Sequence, residues 1–301
     1  MPHDSVAAVA AARRIVLVHA HPDDETLTTG GTIARYQADP DTEVTVVTCT
    51  LGEQGEVIPA ALAELAPDRA DQLGGYRTGE LAAALAALGG PRHRYLGGLA
   101  RWRDSGMVLA GHGTRATLPP DLHPRAFAAP EPFGTQLAQL LDIVDEIRPQ
   151  VLVSYADDGG YGHPDHVRAH ELTAAAAAAR PDVVAKLYFA VRSRPELDAG
   201  IAELRGHADL PFRVPAPDEL PSAAADDVTT RIDVAAQRPA RVAAMRAHAT
   251  QIAVWADHDT VAYAMSNGVA QPLRDVEEFV LAGAGGRSAA AETDLFAGVQ
   301  A

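Results

Sequence analysis

Short apolar runs alternate along the first part of the chain with longer amphipathic or alanine-rich segments. The short runs are typical of buried strands and cover 15–20, 43–50, 94–96, 151–155 and 186–191. The longer segments predict helices over 26–37, 73–88, 135–147 and 163–179. Strands that alternate with helices are typical of a parallel sheet. We therefore predict an α/β fold with a Rossmann-like, mostly parallel sheet flanked by helices.

The pattern is weaker beyond residue 191. The segment 192–225 is rich in proline and acidic side chains and has no clear period, and we expect it to be irregular and peripheral. A helix is predicted over 238–250 and a strand over 279–282. We expect a Rossmann-like core at 13–191, and a smaller α+β extension at 192–301 that packs on it and completes the same domain.

The charge balance narrows the choice of partners. The chain of 301 residues carries 25 basic and 40 acidic side chains, a net charge of −15. Such a surface repels phosphate backbones and anionic lipids, so we expect neither nucleic acid nor membrane as a partner. Lys186 is the only lysine, which argues against a Walker-type phosphate loop and against Schiff-base chemistry.

The chain also lacks the usual signs of export. Residues 1–12 have no basic segment of the kind that opens a signal peptide, and no uncharged apolar run reaches the roughly 18 residues of a membrane span. Cys49 is the only cysteine, so neither an intrachain disulfide nor a cysteine-rich zinc site can form. We expect a cytoplasmic protein.

Two similar polar blocks follow two of the predicted strands. His21-Pro22-Asp23-Asp24-Glu25 comes after the strand at 15–20, and His163-Pro164-Asp165-His166 comes after the strand at 151–155. In an open parallel sheet, ligands bind in the crevice at the carboxyl ends of the strands. We therefore expect the two blocks to meet in one site, although they lie far apart in the sequence.

The residue types in these blocks indicate a catalytic metal. His21 and Asp24 are three residues apart, as are His163 and His166, so each pair can point the same way at a loop-to-helix junction. Two histidines and one carboxylate form a common catalytic zinc site, and the same set binds ferrous iron. Asp23 and His163 are then left over, and they are of the types that act as general base and general acid.

A plainer interpretation is that these blocks only begin helices. Asp23 or Asp165 could accept hydrogen bonds from free N–H groups of the next helical turn. Two such blocks, each directly after an apolar strand, weaken that interpretation. A non-catalytic Rossmann-like module that binds a nucleotide or a metal remains an alternative, although the surplus Asp23 and His163 argue against it.

With these two blocks, the chain is identified as a member of the PIG-L/LmbE-like family of zinc N-deacetylases. Longer segments are similar to the branch of that family that acts in mycothiol biosynthesis. They are 18–25, 47–57, 71–77, 101–107 and 159–166, with weaker matches near 247–251, 281–283 and 292–295. The similarity therefore extends over nearly the whole chain.

The resemblance implies a role for each matching residue. It implies that the metal ligands are His21, Asp24 and His166. It implies that Asp23 is the general base, that His163 is the general acid and helps to stabilise the oxyanion, and that Tyr161 lies near the carbonyl oxygen. Asp165 would orient His163 and tune the metal. Arg77 and Asp104 match positions that hold the hydroxyls of the sugar and the inositol.

The reaction that the resemblance implies is hydrolysis of the acetamide of N-acetylglucosaminyl-inositol, with one zinc per subunit or ferrous iron in its place. One alternative is a mycothiol S-conjugate amidase, but the stretch 26–30 lacks the lysine that such a relative carries. Another is a deacetylase of a different N-acetyl amino sugar. His170, one helical turn after His166, is the rival metal ligand, and polar roles for Glu53 and Glu56 stay unassigned.

Overall fold

A computed structural model describes residues 13–110, 115–283 and 291–299. Residues 1–12, for which we predict no signal peptide, lie outside the described ranges. The helices are α1 Asp24–Gln37, α2 Leu73–Ala87, α3 Phe133–Ile147, α4 Pro164–Ala179, α5 Arg194–Leu204 and α6 Arg238–Ala247. The strands are β1 Arg13–His19, β2 Thr42–Thr48, β3 Arg92–Tyr95, β4 Val108–Ala110, β5 Arg115–Thr117, β6 Val151–Tyr155, β7 Lys186–Val191, β8 Thr230–Asp233, β9 Ala253–Asp257, β10 Thr260–Ala264, β11 Gln271–Pro272 and β12 Val276–Leu281.

The main sheet confirms the predicted α/β fold. Its strand order is β3-β2-β1-β6-β7-β12-β8, and the first five strands are parallel. Strand β12 runs antiparallel to both β7 and β8. Because β1 and β6 are direct neighbours, the loops that leave their carboxyl ends emerge side by side. The sheet therefore brings together the two polar blocks that the sequence separates.

Strand β1 is buried on both faces. Ile15 and Leu17 belong to one apolar cluster, and Val16 and Val18 belong to a second cluster on the opposite face. All four side chains are fully buried. Burial on both faces is the reason why parallel central strands have continuous apolar sequences rather than alternating ones.

The C-terminal part of the chain joins this sheet and adds smaller elements. Within 192–299 the chain supplies β8, β12, helices α5 and α6, and the antiparallel sheet β11-β10-β9. The prediction that 192–225 is irregular was wrong for α5, which buries Leu197, Ile201 and Leu204 at helical spacing. The division of the chain at residue 191 stays a prediction. Among the described residues, no helix is long and apolar enough to cross a membrane.

Replacing Phe279 with alanine is expected to lower the free energy of unfolding by about 3–5 kcal/mol, because a fully buried ring leaves a cavity. Phe279 lies in β12, and its ring meets that of Tyr188 edge-on at a centroid distance of 6.3 Å. Urea unfolding measures the change. Leu99→Ala is the control, since that side chain is 64% exposed and should shift stability by no more than about 0.5 kcal/mol. Equal losses in the two variants would contradict the assigned packing.

Candidate active site

The candidate ligands lie at two loop-to-helix junctions at the carboxyl edge of the sheet. After β1 the chain turns through residues 20–23 and enters α1 at Asp24, and after β6 it runs through 156–163 and enters α4 at Pro164. His21, Asp24 and His166 are all buried, with 4 to 8% of each residue exposed. Asp24 Oδ2 lies 3.2 Å from His21 Nδ1 and 3.3 Å from His166 Nε2. The structure therefore brings the three predicted metal ligands together.

His166 presents a free lone pair to this site. Its Nδ1 lies 3.0 Å from the carbonyl oxygen of Gly159. Because a carbonyl only accepts hydrogen bonds, Nδ1 must carry the proton, and Nε2 of the neutral ring has the lone pair. In the part of the chain that the structure describes, Nε2 is buried and makes no hydrogen bond. A metal-binding histidine has this arrangement, with one nitrogen held by a carbonyl and the other free for the ion.

His163 has the opposite tautomer. The backbone N–H of Asp165 donates to His163 Nδ1 at 3.2 Å, so the neutral ring carries its proton on Nε2. Burial, followed by the neighbouring charges of His21 and His166, lowers the pKa of His163 to about 2. The side chain is therefore a neutral N–H donor in this arrangement. A nitrogen that carries a proton can donate a hydrogen bond to an oxyanion, whereas a metal ligand needs a free lone pair. His163 therefore fits the first role better.

His21 lies among three carboxylates. Its Nδ1 faces Asp24, and its Nε2 lies 3.2 Å from Asp165 Oδ2 and 3.5 Å from Asp104 Oδ1. Burial lowers the pKa of His21, but these carboxylates raise it well above the ordinary value. Metal ligands must be deprotonated, so a metal would replace the proton of this ring. The surplus of negative charge and the free nitrogen of His166 fit a divalent cation.

Asp24 is ionised in this environment. Burial alone would raise the pKa of its carboxyl group, but His166 and then His21 hold it well below the ordinary range. Its Oδ2 also accepts the backbone N–H of His21 at 2.9 Å. An ionised carboxylate beside two imidazoles is a donor set that zinc and ferrous iron both accept.

Asp23 is held from two sides. Its backbone N–H donates to Glu25 Oε2 at 2.9 Å, and its Oδ2 accepts from Arg77 Nη2 at 2.9 Å. The backbone φ of Asp23 is 106°, a left-handed value that few residues other than glycine adopt. Its side chain makes no capping hydrogen bond to α1, which contradicts the plainer interpretation for this residue. Burial raises the pKa of Asp23 to about 6, and Arg77 opposes that shift.

Arg77 lies behind the predicted base, and only 2% of it is exposed. Its guanidinium donates to the carbonyl oxygens of Gly52 and Pro22 as well as to Asp23. In this conformation the side chain ties α2 to the loops that follow β1 and β2. The substrate role suggested by the resemblance stays a prediction.

Asp104 and Asp165 are anchored by backbone N–H groups. Asp104 accepts from Gln54 N and Gly106 N at 3.2 and 2.8 Å. Asp165 Oδ2 accepts from Ser105 N at 3.0 Å, whereas its buried Oδ1 has no hydrogen-bond partner among the described residues. Burial raises the pKa of Asp165, although its hydrogen bond with His21 opposes the shift. Asp104 is buried beside His21, and its contact with substrate hydroxyls stays a prediction.

Tyr161 is the most exposed of the predicted site residues. About half of it is buried, and its ring meets those of His163 and His166 edge-on, with centroid distances of 6.0 and 5.2 Å. It therefore lies on the open side of the histidine cluster.

The rival ligand His170 lies elsewhere. Its Nδ1 is 2.9 Å from the carbonyl oxygen of Tyr155, and its ring packs on Phe189 at a centroid distance of 4.7 Å. Among the described residues it belongs to no group of metal donors. Glu53, which had no predicted role, accepts backbone N–H groups of Leu51 and Asp104 and so shapes the loop beside the site.

Two residues that support the site, Tyr155 and His248, were not predicted from the sequence. Tyr155 donates its hydroxyl proton to Asp24 Oδ2 at 2.7 Å, and His248 Nε2 lies 2.9 Å from Glu25 Oε1 with both side chains fully buried. Tyr155 ends an apolar strand and so was predicted only as part of the core. Its position at the carboxyl end of a strand was the feature of the sequence that could have indicated a role in the site. His248 had no such feature, because its partner Glu25 is 223 residues away.

Comparisons with known proteins show the family to which the chain belongs. The model of the PIG-L family, described as GlcNAc-PI de-N-acetylase, matches residues 16–177. A protein of Actinosynnema mirum named 1D-myo-inositol 2-acetamido-2-deoxy-alpha-D-glucopyranoside deacetylase is 56% identical over 287 residues, which cover 95% of this chain and 97% of that protein. A Saccharopolyspora erythraea protein with the same name and the number 1 is 53% identical over 291 residues, covering 95% and 94%.

A solved structure supports the fold. The crystal structure of a deacetylase–teicoplanin complex from the teicoplanin biosynthesis pathway aligns with a TM-score of 0.50. The alignment covers 79% of this chain and 87% of that chain, with 21% sequence identity. Together with the family match over residues 16–177, these relatives confirm the resemblance seen in the two polar blocks. The chain belongs to the PIG-L family of de-N-acetylases.

Proposed function

We propose that this protein hydrolyses the acetamide of N-acetylglucosaminyl-inositol, giving glucosaminyl-inositol and acetate in mycothiol biosynthesis. The observation that carries the proposal is the convergence of His21, Asp24 and the free Nε2 of His166 beside a buried carboxylate, Asp23. A metal site with an additional general base can catalyse the hydrolysis of an unreactive amide. The substrate follows from the name of the relatives, which match nearly the full length of the chain.

His21, Asp24 and His166 are the residues that would hold the metal, and zinc is the metal we propose. Ferrous iron accepts the same ligands and is the alternative. When bound, the metal polarises the amide carbonyl and lowers the pKa of water. The remaining side chains of the site then have to move protons and stabilise charge.

Asp23 acts as the general base in this proposal. With a pKa of about 6 it is mostly ionised at neutral pH and still basic enough to accept a proton from the attacking water. Arg77 Nη2 occupies Oδ2 at 2.9 Å, so Oδ1 is the oxygen that takes the proton. The hydrogen bond also fixes the direction of the carboxylate, so that little rotation is needed during the reaction.

His163 and Tyr161 act on the other side of the amide. The neutral His163 ring carries a proton on Nε2 and can donate a hydrogen bond to the developing oxyanion, as can the Tyr161 hydroxyl. Negative charge beside His163 favours its protonated form. Once His163 has taken a second proton from solvent, it gives one proton to the departing amine, which leaves poorly as an anion, and returns to its neutral form.

The substrate preference is the sharpest test of the proposal. Acetate release should be strongly faster with N-acetylglucosaminyl-inositol than with N-acetylglucosamine, because the relatives are named for the inositol conjugate. Asp104 and Arg77 are proposed to hold its hydroxyls, and Arg77 would exchange its contacts to Gly52 and Pro22 for them. Bimane-labelled mycothiol is the comparison for the amidase alternative. Rapid cleavage of that conjugate with slow deacetylation would favour the amidase. Equal rates with both acetylated sugars would still support deacetylation but would reject the inositol conjugate as the specific substrate.

A further inference from the structure

Tyr155 contacts the candidate metal site through its hydroxyl group. It is the last residue of β6, and 4% of it is exposed. The hydroxyl accepts the backbone N–H of Ala20 at 2.8 Å and lies 2.7 Å from Asp24 Oδ2. A phenol has a single proton, and the Ala20 N–H supplies the other hydrogen bond. The phenolic proton must therefore point to the Asp24 carboxylate.

The ring of Tyr155 contacts a second candidate ligand. It stacks on the His166 imidazole with a centroid distance of 4.1 Å and an interplanar angle of 12°. Among the described residues it also meets the ring of His19 edge-on, at a centroid distance of 5.8 Å. Stacking fixes the plane of His166, and the carbonyl of Gly159 fixes which of its nitrogens faces the site. The imidazole therefore has little freedom to turn away.

We propose that Tyr155 is a positioning residue for the metal, since its hydroxyl aims the Asp24 carboxylate while its ring aims the His166 imidazole. The inference rests on the proposed function, because it takes these two residues as ligands. Partners that orient metal ligands typically contribute about 10–100-fold in metal affinity. One side chain that orients two ligands from different helices would join the starts of α1 and α4 into a single prearranged site.

The competing explanation is that Tyr155 only fills the core. It belongs to the apolar cluster behind the sheet, so losing its ring would destabilise the fold in any case. Tyr155→Phe separates the two explanations, because it keeps the ring and its stacking and removes only the hydroxyl. Tyr155→Leu removes both contacts and should lower the affinity for the metal more than Tyr155→Phe does.

Tyr36 offers a matched control. It is also 4% exposed, and its hydroxyl accepts the backbone N–H of Leu295 and donates to Asp294 Oδ1, both at 2.7 Å. These are the same types of contact that the Tyr155 hydroxyl makes. Tyr36, however, lies at the opposite end of α1 from Asp24. Tyr36→Phe should therefore cost a similar amount of stability without disturbing the site.

The experiment is a zinc titration of the chelator-treated full-length protein against a chromophoric zinc chelator. Far-ultraviolet circular dichroism checks that each variant is folded. We expect the zinc dissociation constant to rise about 10–100-fold in Tyr155→Phe and to stay within about twofold of wild type in Tyr36→Phe. Unchanged affinity in Tyr155→Phe, or equal weakening in both variants, would overturn the inference. Wild-type protein that binds no zinc would instead overturn the proposed function.

Discussion

Chelation is expected to reduce deacetylase turnover by about a thousandfold or more, and returning zinc is expected to restore it. Polarisation of the carbonyl and activation of water by a metal contribute several kcal/mol to lowering the barrier, and each 1.4 kcal/mol is worth tenfold in rate. The protein side chains cannot replace that contribution, since His163 is a neutral donor with a pKa of about 2. Acetate release before chelation, after it and after zinc return measures the effect.

The fold itself should survive this treatment. The three carboxylates around His21 raise its pKa well above the ordinary value, so a protonated imidazole can balance their charge in the metal-free protein. Circular dichroism of the chelated protein checks this. Full turnover in protein shown by elemental analysis to be free of metal would contradict both the ligand assignment and the proposed reaction.

Asp23→Asn is expected to keep the metal and to lose about a hundredfold to ten-thousandfold in kcat, the range typical of a lost general base. The amide has nearly the same size as the carboxylate, and its oxygen can still accept from Arg77, so the loop should keep its shape. What it lacks is the capacity to take a proton from water. Steady-state kinetics together with zinc content by elemental analysis separate the loss of the base from loss of the ion.

Asp68→Asn provides the control for this variant, because it makes the same chemical change on an exposed side chain. It should match wild type in both kcat and zinc content. If Asp23→Asn turned over at the wild-type rate, another group would have to be the base. If it lost its zinc, Asp23 would be acting on the metal site rather than on the proton.

The parallel core could be predicted from the sequence because its signal is local. Strands buried on both faces, such as β1 and β6, have continuous apolar sequences, and the strand-end rule then placed both polar blocks at one edge. The C-terminal elements were harder. Strand β11 has two residues, too few to show a period. In α5 the helical spacing of Leu197, Ile201 and Leu204 is obscured by a proline in the first turn and by the acidic side chains around them.

The finer arrangement of the site depends on backbone geometry and on contacts between distant residues, which the residue types alone do not determine. The tautomer of His166 is set by a carbonyl of the preceding loop, and the base is oriented by Arg77, which is 54 residues away. The residue types in a motif indicate what chemistry is available. Which nitrogen carries a proton and which carboxylate oxygen is free follow only from the packed structure.

The backbone of Asp23 has a consequence for how this protein can change. A left-handed φ of 106° at a residue with a side chain costs about 1–3 kcal/mol, and here the contacts to Glu25 and Arg77 maintain it. The folding reaction overcomes this strain, so the Asp23 carboxylate is already oriented before each substrate binds. Stability and catalysis therefore oppose each other at this position. A substitution that relaxes the turn stabilises the backbone but loses the orientation of the catalytic carboxylate.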